Sequence, residues 1–384
     1  MTPTRNNHSP ISILHIASGD LWAGAEVQLY TLVRALDKLP GASVRVILLN
    51  HGTLERKLNE EGIEVLVFDE TRQSSLQILR RIQQSIGEQR PDVIHTHRLK
   101  ENILGSIAGY LAGRVPSMRT VHGAPEHQAP WWQMPKRIIR ALDRLTAIYT
   151  QRRIIAVSED LAVSLRKTFP AEKIRIIENG IDLNSLSNHR VKSTSAFEAG
   201  TDILRIGLAG RLVPVKRVDL FIRTARYIQD NYPDLKAEFY IFGDGPLRDE
   251  LEALSRTLNT DNIIHFEGHC DDISKRLQNL DILMLTSDHE GLPMILLEAM
   301  GLKVPVIGHA TGGIPVLLDH GSCGALVSNH CPEGYAVEIH RLSQSVIARS
   351  KLSEAALQRV KSHYSAEENA RKYLSQYNEI RKTA

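Results

Sequence analysis

Short apolar runs alternate with longer amphipathic segments along the whole chain. ISILHIA (11–17) precedes a helical pattern from Glu26 to Leu39, and SVRVILLN (43–50) follows it. IEVLVF (63–68), PDVIHTH (91–97), MRTVH (118–122), RIIAVS (153–158) and KIRIIENG (173–180) continue the series. These runs are contiguous and rich in Val and Ile, the signature of strands buried on both faces. Strands that alternate with helices predict parallel, doubly wound sheets. The rhythm breaks at LNSLSNHRVKSTSAFEAGTD (183–202), which is polar, serine-rich and aperiodic and reads as a linker. It restarts with ILRIGLAG (203–210), AEFYIFG (237–243), NIIHFEG (262–268), DILMLTS (281–287), VPVIGH (304–309) and GALV (324–327).

The expected fold is α/β: two Rossmann-like doubly wound domains facing a central cleft. The expected boundaries are a tail over 1–10, an N-terminal domain over 11–182, the linker over 183–202, and a C-terminal domain over 203–362. A helix over 363–384 closes the chain and returns to the N-terminal domain. A length of 384 residues, too great for one ordinary core, agrees with two domains. A net charge of +3 argues against a general nucleic-acid binder. Three cysteines without a CxxC pair suit a reducing cytoplasm. The opening MTPTRNNHSP lacks the apolar core of a signal peptide, and no apolar run is long enough to span a bilayer.

Ligands of open α/β sheets sit at the carboxyl ends of strands, so those ends carry the candidate chemistry. After the first strand, Gly24 lies just ahead of a helix whose first turn holds Glu26, a loop suited to an anion. His95 and His97 stand at strand period on one face, and His122 ends the next strand. No cysteine or carboxylate completes a metal set around them, so they read as hydrogen-bonded scaffold and no metal is expected. In LAGRLVPVKR (208–217), Arg211 and Lys216 flank a proline turn, with Lys216 at the start of a helix. A guanidinium fork and an ammonium point charge there could hold a diphosphate; a solvated basic loop is the other reading. FGDGP (242–246) lacks the third glycine of a dinucleotide fingerprint.

In EGLPMILLEAM (290–300), every residue from Met294 to Met300 except Glu298 is apolar. A helix apolar on all sides is buried, and a buried ionised carboxylate needs donors. A ribose diol, a buried Arg or Lys, or a retained proton would each answer that need. Glu298 is expected about two turns in, and Gly291 and Leu292 offer backbone N–H groups beside the helix entry.

AGRLVPVKR, FGDGP and, above all, Glu290–GLPMILL–Glu298 resemble the retaining glycosyltransferases of family 4, which have the GT-B fold. WAGAE, HTH, TVHG, AVSED, ENGID (178–182) and TGGIPVLL (311–318) fall in that family's order. The resemblance implies transfer of a sugar from a nucleotide diphosphate sugar to an acceptor hydroxyl, with retained configuration and without a cofactor or metal. By the same resemblance, Arg211 and Lys216 grip the diphosphate, and Glu290, Gly291 and Leu292 contact the transferred sugar. Glu298 takes the ribose, Gly24 approaches the phosphates, and His122 lies by the anomeric centre. The loop reads AGAE where the family often has two glycines. No D-x-D occurs in the chain.

WWQMPKRIIRALDRLTAIYTQRR (131–153) sets paired tryptophans and apolar residues among six cations and one Asp. That pattern suits an anionic membrane surface, while the alternative is an ordinary helix packed on the sheet with its arginines in water. His97, Trp131 and Trp132 fall on the expected acceptor side, the acceptor being a saccharide or a lipid-linked saccharide of cell-surface polysaccharide synthesis. The location that follows is cytoplasmic, peripheral on the inner face of the membrane. Rival readings are a nucleotide-sugar-binding module without turnover and a nucleotide-sugar epimerase. An NAD-dependent oxidoreductase stands further off.

Overall fold

The computed structural model describes residues 9–20, 22–123, 134–187, 203–270 and 272–383. Most of the expected tail, Trp131 and Trp132, and residues 188–202 of the expected linker lie outside them. The chain divides into two compact units, one running to Gly180 and resuming at Ala366, the other spanning Ile181–Ser365.

The first unit holds β1 (Ile11–Ala17), β2 (Ala42–Leu48), β3 (Glu64–Val67), β4 (Val93–Thr96), β5 (Ser117–Val121), β6 (Gln151–Ala156) and β7 (Ile174–Ile176). They form one sheet in the order β3-β2-β1-β4-β5-β6-β7, and its paired strands run parallel. Strand order reverses between β1 and β4, where His15 is registered against His95. The contiguous apolar runs are buried as their composition predicts: Val46, Ile47, Leu48, Val93 and Ile94 are all fully enclosed. The helix Ala366–Thr383 completes this unit, setting Ala370, Tyr373, Tyr377 and Ile380 into the same core as β1 and β2.

The second unit holds β8 (Leu204–Ala209), β9 (Ala237–Phe242), β10 (Ile264–Gly268), β11 (Ile282–Leu285), β12 (Val306–His309) and β13 (Ala325–Val327). Their order is β10-β9-β8-β11-β12-β13, so the reversal falls between β8 and β11. Its core joins Phe221 and Ile222 of the helix Val218–Asn231 to Phe239, Ile241 and Met284 of the sheet. Residues 183–187 of the expected linker belong to this unit as the short helix Leu183–Ser187, with Leu186 buried.

Candidate functional site

In the second unit the chemistry gathers at the carboxyl ends of β8 and β11, either side of the point where strand order reverses. Lys216 does not open a helix. It closes the tight turn Pro214–Lys216, and Arg217 then takes a left-handed conformation (φ 47°) before the helix Val218–Asn231 starts. That conformation is uncommon for a residue with a side chain. Arg217 is fixed in it by a two-pronged pair with Asp219 (3.0 and 3.1 Å) and by Asp288 at 3.2 Å. Thr286, at the end of β11, donates to the carbonyls of Lys216 and Arg217 at 2.9 Å each, and the Asp288 N–H donates to the Val215 carbonyl at 2.9 Å. The two loops are therefore tied together by backbone, which fixes the side chains they carry.

Those side chains meet. Lys216 Nζ lies 2.5 Å from Glu290 Oε1, and the Ser287 hydroxyl donates to the same oxygen at 2.6 Å. Glu290 is held from behind as well, because the Gly313 N–H donates to its carbonyl at 3.2 Å. Gly312 has φ +54°, and a Cβ there would stand 1.8 Å from the Glu290 carbonyl oxygen. Only glycine fits that approach. Arg211 is exposed, with no side-chain ion pair among the described residues.

The helix that follows is Met294–Gly301, shorter than the sequence suggests, and Glu298 is its fifth residue, little more than one turn in. Leu296, Leu297, Ala299 and Met300 are fully buried and Glu298 is 7 % exposed. Burial, aided by the nearby Asp272 carboxylate, pushes the Glu298 carboxyl up to about 7. Its Oε2 is buried and has no hydrogen-bond partner among the described residues. Of the three readings of Glu298, the buried Arg or Lys is the one not found among the described residues. Gly291 and Leu292 are buried beside the helix entry.

In the first unit the corresponding edge is lined with histidine. His97 Nε2 lies 3.1 Å from His15 Nδ1, and His97 Nδ1 lies 3.3 Å from His122 Nε2. His95 Nδ1 lies 2.6 Å from the Tyr377 hydroxyl and its Nε2 lies 2.9 Å from the Thr120 hydroxyl. Burial drives every one of these imidazoles towards its neutral form: His15 down to about 3, His122 to about 4, and His95 and His97 well below the usual value. His15, His95 and His97 each offer a nitrogen within 4.8 Å of the others. Both nitrogens of His95 and both of His97 are engaged by neighbours, so the scaffold reading accounts for this grouping. Gly24 is the first residue of the helix Gly24–Asp37, capped by Ala23 without a side-chain hydrogen bond. Glu26 in that first turn pairs with Arg98, which also stands 3.6 Å from Asp20.

The helix Met134–Tyr149 does not pack its apolar residues on the sheet, as the alternative reading of this segment had it. Over residues 138–149, Asp143, Thr146 and Ala147 are buried, while Ile138 (56 %), Leu145 (48 %) and Tyr149 (77 %) are exposed, together with Ile139, Leu142 and Ile148. The cause is Arg119, 6 % exposed, whose guanidinium needs the Asp143 carboxylate at 2.7 Å. Asn102 donates to the same carboxylate at 2.7 Å.

Sequence reading missed His15, Ser287, Thr286 and Arg98. His15 did leave a signal, since it interrupts an apolar strand much as Glu298 interrupts an apolar helix.

The family model for "Glycosyl transferases group 1" matches residues 204–345 and that for "Glycosyltransferase Family 4" matches residues 22–185. The UDP-Gal:alpha-D-GlcNAc-diphosphoundecaprenol alpha-1,3-galactosyltransferase of Escherichia coli is 27 % identical over 361 residues, covering 91 % of this chain and 90 % of its own length. The putative glycosyltransferase EpsF of Bacillus subtilis strain 168 is 27 % identical over 321 residues, 78 % of this chain and 79 % of its own. Anabaena HepE, solved with UDP and glucose, superposes with a TM-score of 0.80 at 21 % identity, covering 96 % of this chain and all of that one. The two parallel-sheet units are those of a GT-B glycosyltransferase, and the chain belongs to the group 1, family 4 glycosyltransferases.

Proposed function

We propose that this glycosyltransferase moves a sugar from a nucleoside diphosphate donor, with retention of configuration and without a metal ion. One observation carries the reading: a buried carboxylate, Glu298, on the helix that follows the Lys216–Glu290 ion pair in sequence, keeps an oxygen without a hydrogen-bond partner among the described residues. A buried polar atom without a partner is costly, so the site is built for a donor group that arrives with a ligand. A ribose diol is such a group. Lys216 and the exposed Arg211 take the diphosphate, and their fixed charges stabilise the negative charge that grows on the leaving group. That assignment, with the absence of any D-x-D in the chain, makes a divalent ion unnecessary. Glu290, released from Lys216 by the incoming phosphate, accepts from hydroxyls of the transferred sugar, beside the backbone of Gly291 and Leu292.

The first unit is assigned the acceptor, and by the family resemblance His97 goes with the acceptor and His122 with the transferred sugar. Gly24, at a helix start with no side-chain cap, is assigned to the phosphates by the same resemblance. The Escherichia coli relative is named for a UDP-galactose donor and a diphosphoundecaprenol-linked acceptor, and HepE is solved with UDP. Both favour a uridine diphosphate sugar and a lipid-linked saccharide here. No helix among the described residues is long and apolar enough to cross a membrane. The outward Ile138, Leu142, Leu145 and Tyr149, interleaved with Arg140 and Arg144, suit attachment to an anionic bilayer from the cytoplasmic side.

The test is thermal unfolding with UDP, GDP and ADP, each with and without EDTA, followed by product analysis with UDP-sugars and a lipid-linked acceptor. A ligand at a hundred times its Kd adds about 2.7 kcal/mol. Stabilisation by one nucleoside diphosphate that survives EDTA and is lost in Glu298→Ala and Lys216→Ala supports the reading. Equal stabilisation of both variants, or none of the wild type, defeats it.

A further inference from the structure

The imidazoles at the carboxyl edge of the first sheet make a one-dimensional string. His15 Nδ1 meets His97 Nε2 at 3.1 Å, and His97 Nδ1 meets His122 Nε2 at 3.3 Å. His15 and His97 ring planes lie 19° apart and those of His97 and His122 21° apart, with centroids 5.4 and 5.6 Å apart, so the three rings lie nearly coplanar, end to end. The two free ends of the string, His15 Nε2 and His122 Nδ1, are both buried without a hydrogen-bond partner among the described residues. His95 packs against the string, its ring centroid 4.7 Å from His15 and 4.4 Å from His97, but its nitrogens are taken by Tyr377 and Thr120.

A neutral imidazole has one N–H and one lone pair. Three neutral rings joined by two hydrogen bonds therefore have two collective arrangements. In one, His15 Nδ1–H donates to His97, His97 Nδ1–H donates to His122, and His122 holds its proton on Nδ1. In the other, every proton moves to the opposite nitrogen, His122 donates to His97 from Nε2, and the unpartnered N–H is left on His15 Nε2. Orphaned buried N–H groups are rarer than under-satisfied acceptors. His15 is 0 % exposed, whereas His122 is partly exposed at the end of its strand. Both end nitrogens are buried, but the first arrangement puts the loose N–H on the ring that reaches the surface, where a small shift or a ligand can satisfy it. It leaves only a bare lone pair on the fully enclosed His15.

We propose that His15 and His97 are positioning residues that hold His122 in its Nδ1–H tautomer. The partner of one imidazole nitrogen decides what the other presents, and here that decision passes through two rings to a residue that His122 does not hydrogen-bond. His122 accordingly offers an N–H to an oxygen of its ligand and does not act as a base. This last consequence rests on the assignment of His122 to the transferred sugar; the tautomer does not.

The experiment is long-range 1H–15N correlation NMR of protein labelled with 15N-histidine, near neutral pH and without substrate, with His122 identified by its loss in His122→Gln. Free neutral histidine favours the Nε2–H form, so the expected Nδ1–H form of His122 in the wild type is diagnostic. In His15→Phe, His97 Nε2 has no donor, both remaining rings revert to Nε2–H, and His122 flips although its own contacts are intact. His97→Phe gives the same reversion and serves if His15→Phe does not fold. His122 in the Nε2–H form in the wild type overturns the proposal, as does an Nδ1–H signal that persists in a folded His15→Phe or His97→Phe protein. Failure of sugar transfer leaves this result untouched, since no substrate is present.

Discussion

The hydroxyl of Tyr377 lies 2.6 Å from Nδ1 of His95, across 282 residues of sequence. The neighbouring Tyr373 hydroxyl lies 2.9 Å from that of Thr120. The helix Ala366–Thr383 thus supplies polar partners, as well as apolar cover, to the middle of the first sheet. Tyr377→Phe strands a buried nitrogen and is expected to cost the first unit about 1–3 kcal/mol. Urea denaturation followed by probes in each unit checks this: the first transition moves to lower urea and the second stays in place.

Glu298→Gln is expected to stabilise the ligand-free protein at neutral pH while weakening nucleotide binding. The folded-state carboxyl is raised from 4.5 to about 7. Between those values the folded state keeps a proton that the unfolded chain has released. The stability this contributes is complete below about pH 4.5 and lost as pH rises through 7. The glutamine cannot ionise, so it escapes a loss of about 3 kcal/mol. Melting curves from pH 5 to 8 should diverge in its favour. Nucleoside diphosphate affinity of the wild type should rise over the same range, as ionised Glu298 becomes the acceptor, and that of the variant should stay flat.

Gly312→Ala drives a methyl group into the Glu290 carbonyl, 1.8 Å away, at a backbone conformation that disfavours alanine. The strain is expected to be about 1–3 kcal/mol, relieved by moving Glu290. Because Glu290 and Lys216 are paired, the displacement should lower turnover by about 10²–10³-fold, the range for a lost preorganised contact. A normal kcat in Gly312→Ala would separate this loop from the sugar site.

Leu142 and Leu145 are 40 % and 48 % exposed, so Leu142→Ser with Leu145→Ser should leave the melting temperature nearly unchanged. Binding to vesicles rich in anionic lipid should fall by about tenfold or more, given about 1.5–3 kcal/mol for each fully buried side chain. Co-sedimentation at low and high salt reads both the apolar and the charge contributions.

Much of this was legible in the sequence where the signal is local. The seven and six strands coincide with apolar runs, because strands covered on both faces need continuous apolar sequence. KIRIIENG keeps only Ile174–Ile176 as strand, since an edge position pairs on one side alone. Glu298 betrayed itself as a carboxylate among apolar neighbours. His15 and Ser287 are different: they matter through their partners. His15 meets His97 across 82 residues, a proximity made by strand order and not by spacing. The helix Met134–Tyr149 left two orientations open in the sequence for the same reason. Its orientation is set by Arg119, on another element, whose buried charge outranks the burial of several leucines and isoleucines.

The helix Ala366–Thr383 belongs to the unit whose first strand begins at Ile11. On the ribosome, the unit that starts first is therefore finished last. Synthesis at about 5–20 residues per second leaves β1 to β7 waiting for Tyr373 and Tyr377 while Ile181–Ser365 emerges and can fold on its own. A message cut short before Ala366 would yield a sound second unit joined to an open sheet, with the histidine edge unsupported. Arrival of this helix thus acts as a checkpoint on assembly of the first unit.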